Sequence, residues 1–289
     1  MKKVDFFIIG APKCGTTALV DTIKVHPDIF IPDVKEPHFF CFDWPEFQRY
    51  SNIGSYSSIF KEGRINGDAS VWYLYSDAAP LEIYKYNPKA KIIVCLREPE
   101  KMIASLHNQL VFSAREVEPV FEKAWNRTAE QIEQIDKKRC LVHKHLDYKN
   151  IGSFHQYLKR WEDVFGKESI KIVFMDELIK NPSGILEDIF SFLSVERVEL
   201  ELKKSNPARQ HRFFWLSTFI MRPPFPFNHI KKAIRRLLRD EGRSYLRPLY
   251  SFLSVRKKDY SSEISDLLKA EMKSYFSENW NAINKEYRK

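Results

Sequence analysis

The chain is poor in cysteine, with only Cys14, Cys41, Cys95 and Cys140 among 289 residues. None forms a C-x-x-C pair, so a zinc framework is not expected, and scattered thiols fit a reducing compartment better than a disulfide scaffold. No apolar run reaches the ~18 residues a membrane-crossing helix needs. The opening Met-Lys-Lys-Val-Asp enters a short apolar strand at once, which argues against a signal peptide. A cytoplasmic protein is therefore expected, with room for contact at a membrane surface. Internal repeats, low-complexity tracts and nucleic-acid-binding signatures are also missing, so no nucleic-acid partner is expected. Acidic residues are outnumbered 38 to 47 by Lys and Arg, a formal charge of +9. That balance suits anionic ligands without choosing among phosphates, sulfated sugars and an anionic lipid surface. The content is 44% hydrophobic and 14% aromatic, enough for a sizeable core.

The strongest local signal lies at the start. Phe6-Phe7-Ile8-Ile9 stops at Gly10, then Ala11-Pro12-Lys13-Cys14-Gly15 forms a tight loop, and Thr16-Thr17 opens an amphipathic run. Strand, loop and helix in this order aim backbone N–H groups and a positive helix end at a phosphate. The triphosphatase pattern G-x-x-x-x-G-K-[ST] requires lysine directly after the second glycine. Thr16 holds that place here, and the lysine, Lys13, sits inside the loop.

Further along, Asp77 to Tyr86 reads as a helix, Lys91–Leu96 as a buried strand, and Pro99 to about Val111 as a helix. Residues 41–66 look irregular, and Val71–Leu74 reads as a strand end and loop. Helices follow over 118–165 with a break near Gly152, then a third strand at 169–175, a helix from Pro182 to Leu193, and a last amphipathic helix over 260–285. Alternating strands and helices predict an α/β fold, a three-layer P-loop-like architecture with a mainly parallel central sheet flanked by helices. Ligands of such sheets bind beyond the carboxyl ends of the strands.

Several residues after those ends could carry chemistry. Arg97 closes a strand and suits bidentate phosphate recognition, with Ser105 two helical turns on; residue types alone also allow a surface arginine and a helix serine. Glu36, in Lys35-Glu36-Pro37-His38-Phe39-Phe40, is either a general base or a solvated loop acid. His38 can orient an acceptor or pack structurally, and Lys35 can attract an anionic acceptor or simply be exposed. Ile172-Val173-Phe174-Met175-Asp176 superficially matches a Walker B strand, which leaves open a kinase or triphosphatase using Mg-ATP. The aromatic stretch from Phe213 to Phe227, followed by a basic helix near 229–240, suits either an anionic membrane interface or core packing with a solvated basic face.

Taken in order, Pro-Lys-x-Gly-Thr-Thr, Lys-Glu-Pro-His-Phe-Phe and a strand ending Arg-x-Pro with serine eight residues after the arginine resemble a known family. It is the sulfotransferases that use 3′-phosphoadenosine 5′-phosphosulfate (PAPS), in their carbohydrate branch, which includes the heparan sulfate enzymes. Tyr148-x-x-x-Gly152-x-Phe154 and Ile172 to Leu178 also fit, so the resemblance spans about residues 5–215. It implies one domain over 1–289 with a basic, aromatic-rich helical extension after 216. By resemblance, Lys13, Cys14, Gly15, Thr16, Thr17 and Ala18 would hold the 5′-phosphosulfate, and Arg97 with Ser105 the 3′-phosphate. Glu36 would be the general base, assisted by Lys13 and His38, and Lys35, His38, Asp68 and Tyr73 would meet the acceptor. Arg209 and Arg212 would belong to a late loop over PAPS. The implied reaction moves a sulfuryl group to a hydroxyl, or secondarily an amine, of a carbohydrate or glycolipid. It leaves adenosine 3′,5′-bisphosphate (PAP) and requires no metal. Heparan-acting members tend to carry lysine where Ala69 stands, so a heparan-like acceptor does not follow. No oligomeric state follows from the pattern.

Overall fold

The computed structural model describes residues 2–34, 36–135, 140, 142–203, 209–211, 254–256 and 264–288. The chain divides into two compact units. One holds Met1–Met102, Asn150–Ser205 and Met272–Lys289, and the other Ile103–Lys149 and Asn206–Glu271.

The first unit is built on a five-stranded sheet of β1 (Phe6–Gly10), β2 (Ile29–Phe30), β3 (Ile65–Ala69), β4 (Lys91–Leu96) and β5 (Ile170–Phe174). Its order is β2-β3-β1-β4-β5, and every neighbouring pair is parallel. All five β1 residues are buried, which explains the unbroken apolar run: a central parallel strand is covered on both faces. The chain moves outward from β1 to β2, returns through β3, then crosses to β4. The switch point therefore lies between the carboxyl ends of β1 and β4, where such sheets bind ligands.

Among the described residues the helices are α1 (Thr16–Ile23), α2 (Ile53–Ser57), α3 (Ala79–Tyr86), α4 (Pro99–Phe112), α5 (Phe121–Trp125), α6 (Ala129–Glu133), α7 (Tyr148–Gly152), α8 (Phe154–Phe165), α9 (Met175–Lys180), α10 (Pro182–Leu193) and α11 (Asp266–Tyr287). Local chemistry sets their ends. Pro99 and Pro182 open α4 and α10, where a missing N–H costs nothing. The Asn181 side chain accepts the Gly184 N–H and caps α10. Helix α8 buries Phe154, Tyr157, Leu158, Trp161 and Phe165, one face at helical spacing. Its Trp161 Nε1 donates to Leu74 O at 3.4 Å, which fastens α8 to the segment following β3.

Two expectations are corrected. Strand β3 ends at Ala69, and the Val71–Leu74 stretch forms turns and a 3-10 segment at Tyr73–Tyr75 rather than a strand end. The sequence Ile-Asn-Gly-Asp-Ala has poor strand propensity, and pairing on both sides overrides it. The C-terminal helix is also no appendage. From Met272 onward it belongs to the sheet unit: Trp280 packs against Phe154 and Phe174, Asn279 Oδ1 accepts the His155 N–H, and Arg288 pairs with Asp176 at 2.7 Å. The basic amphipathic helix near 229–240 and the aromatic 213–227 stretch lie outside the described residues.

The second unit is organised around Glu116, which is 1% exposed. Arg127 grips it with two hydrogen bonds of 2.8 Å, Tyr148 OH donates at 3.0 Å, and the Glu118 N–H at 2.8 Å. Burial alone would raise the carboxyl's pKa, but these partners win and hold it below its ordinary value. Arg209 to His211 form a short strand pairing antiparallel with Ser254 to Arg256.

Candidate active site

The loop after β1 is shaped by backbone. Ala11 N–H donates to Cys95 O at 2.7 Å, which ties the loop to β4, and Cys14 N–H closes a turn on Ala11 O at 3.3 Å. Lys13 has φ 64° and Gly15 φ 82°; Cys14 lies between them. Left-handed residues spaced in this way turn successive N–H groups toward one side, the form of an anion nest. Gly15 is the N-cap of α1, which has neither a capping side chain nor an acid in its first turn. The positive helix end therefore remains available to an anion. Thr16 and Ala18 are buried and Thr17 is half-buried.

Arg97 follows β4 and stands beside this loop. The Cys14 thiol is pushed up first by burial and by Cys95, and is drawn down by the charges of Arg97 and Lys13, with a hydrogen bond to the Arg97 backbone. The Cys14 side chain is fully buried, and its backbone N–H serves the turn. Ser105 lies on α4, six residues past Pro99, in the second unit.

A second constellation hangs beside β1. Glu36 and His38 flank Pro37 and have φ of 52° and 50°, the left-handed region that non-glycine residues enter at a cost of about 1–2 kcal/mol each. Their side chains approach to 3.9 Å, His38 Nε2 to Glu36 Oε2, with Glu36 34% exposed and His38 5%. The segment is held from behind. His38 N–H donates to Ser70 Oγ at 3.1 Å, and Phe40 N–H to Tyr73 OH at 3.3 Å. Ser70 N–H in turn donates to Ile8 O of β1 at 3.1 Å. Gly10 permits the close approach on the same side: a Cβ there would sit 2.9 Å from Leu74 Cβ and 3.0 Å from Val71 O.

Asp68 joins these partners. Its Oδ1 accepts from Ser70 Oγ at 2.7 Å, and its Oδ2 from Tyr56 OH at 2.7 Å and Tyr73 OH at 3.0 Å. Asp68 is 1% exposed and Tyr73 is fully buried. Both side chains, expected against the acceptor, are buried here and hydrogen-bonded within the protein. Sequence reading missed Tyr56 and the bridging role of Ser70, since nothing local marks residues 12 to 32 positions apart as partners.

A model of the sulfotransferase domain matches residues 3–209. The chain belongs to the sulfotransferase family. It is 23% identical over 269 residues to carbohydrate sulfotransferase 15 of Mus musculus, covering 72% of this chain and 47% of that protein. It is 28% identical over 196 residues to heparan sulfate glucosamine 3-O-sulfotransferase 3B1 of Homo sapiens, covering 66% and 46%. The chain thus spans about half the length of these curated relatives. Among solved structures, a sulfotransferase from Alicyclobacillus acidocaldarius superposes with a TM-score of 0.61 at 28% identity, over 71% of this chain and 87% of that one.

The fold and the family remove the support for a Mg-ATP enzyme. Asp176, the Walker B candidate, lies in the first turn of α9 and is ion-paired with Arg288. Among the described residues no group of three or more His, Cys, Asp or Glu side chains gathers in one place. Lys35 and Arg212 lie outside the described residues, and Arg209 is placed only by its strand in the second unit. Of the residues expected to form the site, the loop 11–17, Arg97, Glu36 and His38 all lie in the sheet unit.

Proposed function

We propose that this sulfotransferase moves a sulfuryl group from PAPS to a carbohydrate hydroxyl, with Glu36 as general base. The observation that carries the reading is the pairing, within one compact unit, of an acid-free phosphate loop and a braced, partly exposed carboxylate. The residues present fit a doubly phosphorylated donor. The α1 N-terminus with Lys13 offers N–H groups and a cation, and Arg97 beside it offers a second cation with a planar fork for phosphate. PAPS supplies the sulfuryl group and leaves as PAP. Glu36 takes the acceptor hydroxyl's proton on a carboxylate oxygen, with His38 Nε2 3.9 Å from Glu36 Oε2. Lys13 and the loop N–H groups balance the charge that grows on the departing phosphate oxygen, so the reaction needs no metal. The acceptor class rests on the carbohydrate enzymes among the relatives.

Calorimetric titration with PAP against Mg-ATP tests the donor site. Metal-independent binding of PAP, with ATP much weaker, is the expected result. A preference for Mg-ATP would overturn the reading.

A further inference from the structure

The Glu36–Phe40 segment makes two of its backbone hydrogen bonds to side chains that meet at a single buried carboxylate. Ser70 Oγ accepts from His38 N and donates to Asp68 Oδ1; Tyr73 OH accepts from Phe40 N and donates to Asp68 Oδ2. Each hydroxyl has one proton and can serve both partners only if that proton points at Asp68, which leaves its lone pairs for the loop. The carboxylate thus fixes the hydroxyl rotors, and the rotors fix the loop. Tyr56 OH completes Oδ2 but gives no hydrogen bond to the loop; its ring instead stacks on Phe39 at 4.5 Å.

We infer that Asp68, acting through Ser70 and Tyr73, is a positioning residue that holds the Glu36-Pro37-His38 backbone in the left-handed geometry presenting the Glu36 carboxylate. The inference rests on Glu36 being the base. It goes beyond that reading in assigning the base's orientation to one buried side chain 32 residues away, on β3. The groups exist in a ring of mutual constraint. Removing the Asp68 charge frees two hydroxyls to rotate, and the two left-handed residues then have less to oppose their relaxation. The site would remain folded, since β3 also pairs with both β1 and β2.

The test uses the full chain and two readouts. The first is turnover of PAPS with water as the acceptor hydroxyl, alongside the dissociation constant for PAP. The second, independent of activity, is hydrogen exchange at the His38 and Phe40 amides. Ser70→Ala and Asp68→Asn should lower turnover at least tenfold, toward the level of Glu36→Gln, while PAP affinity stays within twofold. His38 amide exchange should quicken at least tenfold in both. Ser70→Thr, which keeps the hydroxyl, should recover much of the loss. Tyr56→Phe removes a comparable hydrogen bond to Asp68 without a hydrogen bond to the loop, so its turnover should fall less than threefold. A merely structural carboxylate would make the Tyr56 and Ser70 variants alike. Should Ser70→Ala and Asp68→Asn keep wild-type turnover while Glu36→Gln loses it, the positioning role is wrong and the base assignment stands. Should the wild type neither bind PAP nor consume PAPS, the sulfotransfer reading fails, and amide exchange still decides: unchanged His38 exchange in Ser70→Ala overturns the positioning role, and faster exchange sustains it.

Discussion

The two halves of the site are held in opposite ways. The phosphate loop, residues 11–17, is fixed by backbone: a hydrogen bond to β4, an internal turn and a left-handed glycine at the helix start. The Glu36–Phe40 segment has backbone contacts of its own, Arg49 N–H to Pro37 O and Cys41 N–H to His38 O, but its anchorage to the sheet runs through buried side chains, Ser70, Tyr73 and Asp68. A backbone cradle serves a ligand group with a fixed shape, such as phosphate, and tolerates side-chain change. A side-chain brace can aim one carboxylate closely, and a single substitution can release it.

The comparison is broken most sharply at Glu36. Glu36→Gln keeps the shape of the segment and removes the basic oxygen, so turnover should fall by about 10²–10⁴-fold with PAP binding unchanged. Equal loss of binding and turnover would mean that the two halves are not separable as described.

Asp68 sharpens it through pH. Burial pushes its carboxyl from the ordinary 3.8 up to about 6, and the Glu36 charge adds to the rise, although Ser70, Tyr56 and Tyr73 all donate to it. Between pH 4 and 6 the folded chain then retains a proton that the unfolded chain has released. Stability is highest below this window and falls as pH rises through it, by roughly 3 kcal/mol from this group. Denaturant unfolding across that range should show the decline, and Asp68→Asn should flatten it. A wild-type profile rising over the same window from other carboxylates would still leave a difference between the two proteins of this sign; no difference would show that Asp68 is not buried as a charge.

How far each half was legible follows from the same contrast. The phosphate loop is local, so an apolar run, two glycines, a lysine and two threonines within twelve residues announce strand, loop and helix. The strand ends at Gly10 and Leu96 and the helix starts at Thr16 and Pro99 were readable for that reason. Glu36 was legible only through a family resemblance, because a glutamate before Pro-His-Phe-Phe has no local signature of a base. Asp68 was legible only through the family resemblance; pairing with β1 at Phe7 makes it an interior strand residue, which nothing in Gly67-Asp68-Ala69 announces. Tyr56 and Ser70 were invisible, since their meaning lies in contacts among segments far apart in the chain.

On the phosphate side, Arg97→Ala should weaken PAP by about 10- to 100-fold, the scale of one or two hydrogen bonds from a charged group, and leave adenosine 5′-phosphate nearly unaffected. Calorimetry with both nucleotides checks this; equal losses would remove Arg97 from recognition of the 3′-phosphate and leave it a general cation beside the loop.

The smallest effect is expected at Gly15, and it probes the cradle alone. A methyl group there has room, since its nearest neighbour would be Met175 Cγ at 3.5 Å. The obstacle is φ of 82°, where an L side chain costs about 1–2 kcal/mol. Gly15→Ala should therefore lower unfolding free energy by about 1 kcal/mol, measured by denaturant titration. Affinity for PAP should change only a few-fold, because Ala11 N–H to Cys95 O and Leu19 N–H to Gly15 O hold the loop on either side of the substitution. If affinity instead collapsed while stability held, the loop would have relaxed to a right-handed turn and moved its N–H groups. The cradle would then depend on one residue as sharply as the Glu36 segment depends on its brace.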